Sequence, residues 1–329
     1  MSKPSRRSVV TACLAALTLA AASLPAAAQT YPSRPITLIV PWGAGGGTDA
    51  TARIVGSLLE RDLGQPVNVV NRTGGSGVVG HQAIASAAAD GYTIGMITVE
   101  IAMMHWQGLT ELKPSSYTPL ALMNEDPPGV IVNQSAPWAD IKALADAIKA
   151  SRPGQYKASG TGQGGIWHLA LVGWLTAMGL RGDHVRWVPS NGAAPAVQDL
   201  AAGGLDLCTC SIPEGRAMID AGRARALAIM APQRNPVFGN VPTLNETLGI
   251  NYSSGAWRGI AGPPNLPQNV RAALVASLDR AYKSTEFQEF MRNRGFGTVW
   301  GGPDEFGSFM ARAAAGMGEA MKAAGLARG

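Results

Sequence analysis

Three glycine-rich turns, each following a short apolar run and opening onto a helix-like run, constrain this 329-residue chain more than any other feature. The first is Gly43-Ala44-Gly45-Gly46-Gly47-Thr48-Asp49, directly after Ile36-Thr37-Leu38-Ile39-Val40-Pro41-Trp42. The second is Gly74-Gly75-Ser76-Gly77-Val78-Val79-Gly80, after Val67-Asn68-Val69-Val70. The third is Gly160-Thr161-Gly162-Gln163-Gly164-Gly165, after Gln155-Tyr156-Lys157-Ala158-Ser159. Such a turn leaves backbone N–H groups pointing outward with no side chain in the way. With the positive end of a helix dipole behind them, these groups form a seat for an anion. Several such seats facing one cleft suit a small molecule that carries carboxylates or phosphates.

The runs between the turns alternate in period. Residues 36–98 read as βαβαβ, which predicts a parallel sheet with helices on both faces. Thr48 or Asp49 can cap the first helix, whose Ile54/Leu58 and Val55/Leu59 form an i,i+4 stripe. Gly64-Gln65-Pro66 ends it, residues 81–89 read as the next helix, and 92–98 read as a strand. The rhythm changes near Leu120, where residues 119–123 and 130–132 flank Asn124-Glu125-Asp126-Pro127-Pro128-Gly129. A second alternation follows. Helices are predicted over 141–151, 167–178 and 194–202, and strands over 158–159, 185–188, 205–210 and 225–229. Trp257-Arg258-Gly259-Ile260-Ala261 then leads through Pro263-Pro264 to two or three C-terminal helices. That last segment has too few strands for its own sheet, so it is expected to return to the first. The fold class is therefore α/β: two lobes, each a mostly parallel sheet flanked by helices, with two hinge crossings. Residues 29–124 plus 254–329 would form one lobe and 125–253 the other. Clefts between such lobes are common ligand sites.

The first 28 residues read as an export signal: Lys3, Arg6 and Arg7, then an apolar stretch over 9–24, then Ala26-Ala27-Ala28 as a cleavage site. Ser5-Arg6-Arg7-Ser8 resembles a twin-arginine signal, so the export route stays open. Cys13 follows a lipobox-like Val10-Thr11-Ala12, but the apolar region lies after it, which argues against a lipid anchor. Removing 28 residues leaves 301, a length that suits two domains, and the net charge of +5 falls to +2 without the leader's three basic residues. Basic charge is scattered through the remainder, so nucleic acid is not an expected partner. Beyond the leader no apolar run reaches about 18 residues, as expected of a soluble product. Cys208 and Cys210 share one face of a strand near the far limit for a disulfide and read as buried free thiols. His81, His105, His168 and His184 show no metal-ligand spacing, so neither metal nor cofactor is expected.

Gly75/Gly77/Gly80 and Gly160/Gly162/Gly165 match the dinucleotide pattern G-x-G-x-x-G, and Glu100 falls twenty residues after Gly80, where a ribose-binding acid would lie. Export and the recurrence of the pattern in both halves favour paired anion seats over a cofactor. The first turn, where the fingerprint usually lies, carries Thr48 in place of the third glycine. Tight packing is the competing use of these glycines, above all for Gly74 to Gly80. No P-loop and no G-x-S-x-G elbow is present. His168 has no nucleophile or orienting acid beside it in sequence and reads as bracing a loop. Asp49 reads as a helix cap that braces its own turn, and Asp206 as a brace for a neighbouring loop. Arg258 can make a two-pronged contact with a ligand carboxylate or an inter-lobe salt bridge. Trp42 can cover ligand carbons or pack in the core.

The chain resembles the solute receptors of tripartite tricarboxylate transporters, the Bug-type receptors. The resemblance runs from Tyr31-Pro32-Ser33-Arg34-Pro35-Ile36 through Gly45-Gly46-Gly47-Thr48-Asp49 to Gly64-Gln65-Pro66-Val67, Asn71-Arg72 and Asp90-Gly91-Tyr92-Thr93. It continues at Ala193-Ala194-Pro195-Ala196, Asp199-Leu200, Leu205-Asp206-Leu207, Ala221-Gly222-Arg223-Ala224-Arg225-Ala226-Leu227-Ala228 and Val241-Pro242-Thr243. It implies a type II-like periplasmic binding protein that closes on a small carboxylate and delivers it to a membrane permease. In similar receptors main-chain amides of the two glycine loops hold the carboxylate, often through ordered waters. The corresponding residues here are Trp42, Gly43, Ala44, Gly45, Gly46, Gly47, Thr48 and Asp49, then Ser159, Gly160, Thr161, Gly162, Gly164, Gly165 and His168. Thr98, Asp206 and Arg258 complete the expected ligand-binding set. A further contact loop, often Tyr-Lys-Gly in relatives, stands here as Ser190-Asn191-Gly192, so the usual ligand preference does not carry over. The expected protein is a periplasmic monomer and not an enzyme. A ligand-presenting sensory adaptor for a membrane kinase, and an exported enzyme, are the alternatives.

Overall fold

The apolar runs pair into two five-stranded sheets in the computed structural model, which describes residues 31–328. The leader read over residues 1–28 lies outside the described residues. The first sheet contains β1 (Ile36–Val40), β2 (Val67–Asn71), β3 (Thr93–Thr98), β4 (Thr118–Asp126) and β10 (Ala256–Gly262), in the order β2-β1-β3-β10-β4. The second contains β5 (Gly129–Asn133), β6 (Lys157–Ser159), β7 (Arg186–Trp187), β8 (Leu207–Cys210) and β9 (Ala224–Ile229), in the order β7-β6-β8-β5-β9.

Both sheets are mixed, although four strands of each share one direction. In the first, β1 is parallel to β2 and β3, as βαβαβ requires, while β10 runs antiparallel between β3 and β4. In the second, β5 runs antiparallel between β8 and β9. Each reversed strand follows a passage from the other sheet: β5 through Pro127-Pro128, and β10 after the segment that follows β9. These strands are buried along their whole length or nearly so, because helices cover both faces.

The first lobe carries α1 (Gly47–Leu63), α2 (Val78–Ala85), α8 (Gln268–Lys283), α9 (Thr285–Arg294) and α10 (Pro303–Ala323). Helices α3 (Ile141–Ala150), α4 (Ile166–Ala177), α5 (Ala193–Ala201), α6 (Ile212–Asp220) and α7 (Leu244–Leu248) belong to the excursion between β4 and β10. The stripe predicted on α1 is buried at Ile54, Val55, Leu58 and Leu59, and Gly64 ends the helix in the left-handed region at φ 68°. Helix α6 was not anticipated from the sequence. Helix α2 starts three residues earlier than predicted, directly on the second glycine turn.

That second turn is a packing device at its last glycine. A Cβ at Gly80 would lie 2.5 Å from Pro41 Cα and 2.7 Å from the Arg72 carbonyl, so helix α2 can approach β1 only without a side chain there. Gly80→Ala is expected to cost about 1–3 kcal/mol through overpacking against backbone. Urea unfolding measures it; an unchanged midpoint would contradict the packing.

Candidate functional site: a cavity between two glycine-capped helices

Helices α1 and α4 begin in the same way. Their N-caps are Gly46 (φ −80°, ψ 175°) and Gly165 (φ −72°, ψ 173°), which have no side chain to cap with. The first amide of each helix is satisfied instead by a glutamate from the other lobe. Gly47 N–H donates to Glu214 Oε1 at 3.0 Å, and Ile166 N–H donates to Glu100 Oε1 at 3.3 Å. Glu100 follows β3 in the first lobe; Glu214 lies in the first turn of α6 in the second. Both seats thus receive carboxylates, as dipole and N–H geometry favour.

The rest of the first turn is braced. Gly43 N–H donates to the Asn191 carbonyl across the cleft at 2.8 Å, and Gly45 N–H donates to Asp49 Oδ2 at 2.9 Å. Asp49 also accepts from Arg53 and Asn71. Burial pushes its carboxyl up, but these donors outweigh burial and hold it below its usual value. Trp42 is buried, and its indole N–H donates to Thr98 Oγ1 at 3.2 Å. Thr98 in turn donates to Glu100.

In the third turn Gly164 N–H donates to His168 Nδ1 at 3.0 Å, and His168 stacks on Trp187 at 4.7 Å. Burial lowers the His168 pKa to about 4, so the ring is neutral at pH 7, with its proton on Nε2. Ser159 donates to the Val188 carbonyl and Ser190 N–H to the Thr161 carbonyl, which ties this turn to the Ser190–Gly192 loop. From the first lobe, Gln107 donates to the Gly164 carbonyl and Ser76 to the Gln163 carbonyl. His81 lies behind Thr98. Its Nδ1–H donates to the Gly77 carbonyl, its Nε2 accepts from Thr98 N–H, and burial lowers its pKa to about 4.

Arg258 is 2% exposed at the middle of β10, in register with Thr98 and Asn124. Its Nε donates to Thr48 Oγ1 at 3.0 Å, Nη1 to Asn124 and Asp126, and Nη2 to Glu214 at 3.2 Å. Burial alone would lower its pKa; Glu214 and Asp126 outweigh that and hold it above its ordinary value. The inter-lobe salt bridge that the sequence left open is therefore formed.

Trp42, Gly43, Gly46, Thr48, Thr98, Thr161, Gly192 and Arg258 line one small cavity together with Glu100 and Glu214. Its volume is about 20 Å³, room for about one water. Gly162, Ser190 and Asn191 line an outer recess of about 430 Å³ with Gly75 and Ser76. Ala44, Gly45, Gly47, Ser159, Gly160, Gly164, Gly165 and His168 shape the two turns. Asp206 lies elsewhere. It accepts from Lys157 N–H at 2.7 Å, at the start of β6, the end away from Gly160. A larger groove of about 1150 Å³ lies beside the connecting segments, between α4 and α10, with mostly apolar walls. The buried charges gather in the small cavity. Sequence reasoning passed over Glu214, Asp126 and Asn124, and weighed Glu100 only as a ribose-binding acid. Ser211-Ile212-Pro213-Glu214 was a readable signal for Glu214: a capping box with Pro in the first turn.

Two α/β lobes with glycine-capped helices meeting at a shared cavity define a two-lobed binding protein. Residues 51–326 match the family model described as the tripartite tricarboxylate transporter family receptor, TctC, and the chain belongs to that family, whose receptors are periplasmic. Protein BugT of Bordetella pertussis is 31% identical over 293 residues, covering 87% of this chain and 88% of that protein. A protein encoded in the tcbD-tcbE intergenic region of Pseudomonas sp. is 31% identical over 297 residues, covering 88% of this chain and 87% of its own. Among solved structures, the periplasmic binding protein BugD matches with TM-score 0.83 at 27% identity, over 91% of this chain and all of that one. Rpa4515 of R. palustris, solved with adipate, matches with TM-score 0.85 at 26% identity, over 90% of this chain and 99% of that one.

Arg258→Leu would leave Asp126 and Glu214 buried without a cation and is expected to cost about 3–5 kcal/mol. Urea unfolding tests it; a loss under about 1 kcal/mol would contradict the pairing. The buried neutral imidazoles of His81 and His168 have folded pKa values below the unfolded one. Their contribution to stability is complete above pH 6.5 and is lost as pH falls towards about 4. Ring NMR is expected to show both neutral at pH 5.5; midpoints near 6.5 would contradict the burial.

Proposed function

We propose that the protein captures a small organic acid between its lobes in the periplasm and delivers it to a membrane permease of the tripartite tricarboxylate type. We further propose that residues 29–124 plus 254–329 move as one lobe against 125–253, that the chain is exported and cleaved near Ala28, and that it breaks no bond in its ligand. The observation that carries this reading is the pair of matching helix N-termini, Gly46–Gly47 and Gly165–Ile166, which border one cavity from opposite lobes. Each first amide is taken by a glutamate of the opposite lobe, so these seats become free for a ligand carboxylate only when the lobes part and those contacts break. Family membership and the adipate in the related Rpa4515 structure support an organic acid as the ligand class.

The physics is consistent with reversible capture. Charge-assisted hydrogen bonds contribute about 1.5–3 kcal/mol each. Three or four of them suffice for micromolar binding, about −8 kcal/mol, after ordering costs. Main-chain amides hold an anion without a dedicated cation and release it when the lobes part. A cavity of about 20 Å³ cannot admit even a four-carbon acid, so entry requires the lobes to separate.

Calorimetry against mono-, di- and tricarboxylates is expected to find at least one acid with a dissociation constant of about 10 μM or tighter. Gly47→Ala should weaken it by about tenfold or more, because a Cβ there would lie 2.8 Å from Arg258 Nη2 and 3.0 Å from Glu214 Oε1. Tight binding of a sugar, with no acid bound, would overturn the reading. Deletion of the gene should abolish uptake of the acid; uptake left intact would sink the delivery role.

A further inference from the structure

The groove of about 1150 Å³ between α4 and α10 takes no part in the capture of an acid. Leu169 and Val172 of α4 form one wall, Phe309, Ala313 and Met317 of α10 form the other, and Met230 adds to the apolar lining. Pro127 and residues 252–255 border it, so it runs along both stretches of chain that connect the sheets. Small-molecule sites have this character: room for a drug-sized body, apolar walls and a few placed polar groups.

One charged side chain stands among these walls. Glu125 lines the groove, and no lysine or arginine does. It makes no ion pair among the described residues, and burial and the neighbouring Asp126 both push its carboxyl pKa up. Strand pairing sets a donor beside it. Trp257 on β10 lies directly opposite Glu125 on β4. Residues opposite one another share a face of the sheet, with Cβ atoms about 4.5–5.5 Å apart. Trp257 packs edge-on against Phe306 and Phe309 of α10, at ring distances of 5.7 and 5.5 Å. Its indole is therefore on the α10 side of β10, while the side chain of the next residue, Arg258, turns to the small cavity on the other side. Trp257 is 3% exposed, and its indole N–H has no hydrogen-bond partner. A buried donor left unpaired is costly. The groove thus offers, side by side, a carboxylate without a cation and an N–H without an acceptor.

We propose that this groove is a second ligand site, for an apolar molecule with an amino-alcohol head: a protonated amine on the Glu125 carboxylate, a hydroxyl oxygen on the Trp257 indole N–H, and a hydrocarbon body along α4 and α10. Charge complementarity selects this occupant. An acid is repelled by Glu125, a plain hydrocarbon leaves both polar groups unmet, and a simple ammonium has no acceptor for the indole. The site is separate from acid capture, since β10 stands between the groove and the small cavity.

Calorimetry on the full-length protein with three compounds on one octyl chain tests this: octanol, octylamine and N-octylethanolamine. Octylamine is expected to bind about tenfold or more tighter than octanol, and N-octylethanolamine about threefold or more tighter than octylamine. Glu125→Gln, at an exposed residue, should erase the preference for the amines over octanol. Gly316→Phe should weaken amine binding about tenfold or more. Gly316 lines the groove at an exposed position of α10, and a Cβ there meets nothing within 4 Å, so the ring fills the groove without displacing the fold. The proposal is overturned if no amine binds, if octanol binds as tightly as octylamine, or if Glu125→Gln leaves the preference unmoved. Amine binding that survives Gly316→Phe places the amine elsewhere and also overturns it. No gain from the hydroxyl of N-octylethanolamine removes the indole from the site and with it the amino-alcohol assignment.

Discussion

The guanidinium of Arg258 is the interaction on which the closed arrangement of this protein depends. It sits on the strand that returns from the second lobe to the first, and its partners come from three different stretches of chain. Asn124 and Asp126 lie on the adjacent strand, Thr48 opens the first helix, and Glu214 reaches over from the second lobe. A buried ion pair of this kind is weak as a source of stability relative to apolar packing, but removal of one member is severe. Its value here is positional. It fixes Glu214, and Glu214 in turn fixes the first amide of the helix on which the glycine turn ends.

The glycines acquire their meaning from that frame. Gly46 and Gly165 hold nearly the same extended conformation at the starts of two helices in different lobes. Any side-chain cap at either position would satisfy its helix locally and close the seat. With glycine there, each helix depends on a carboxylate from outside its own lobe. Gly80, in a turn of similar composition, does something else: it lets a helix lie directly on a strand. Composition alone did not separate these uses; the distance from a Cβ to backbone does.

Much of this was legible in the sequence, for identifiable reasons. Periodicity located nearly every strand and helix, since amphipathic stripes such as Ile54/Leu58 and buried runs such as Val130-Ile131-Val132 register in local pattern. Strand direction did not register locally. The reversed strand β10 pairs with partners more than a hundred residues earlier, and a buried strand reads the same in either direction. The bracing roles of Asp49 and His168 followed from residue type beside a glycine turn. Glu100 and Glu214 were harder. Each acts on a helix 66 or 167 residues away in sequence, and no spacing rule connects such pairs. Arg258 illustrates the same limit, since its type announced a carboxylate partner but not which one.

The exchange of carboxylates between lobes also bears on how such receptors can diversify. Neither lobe is electrostatically complete by itself, because each lends an acid to its neighbour and borrows one back. A hybrid assembled from the halves of two relatives would inherit mismatched termini unless both glutamates and both glycine caps travelled together. The halves of this molecule are therefore bound to change in concert, even where their cores are built separately.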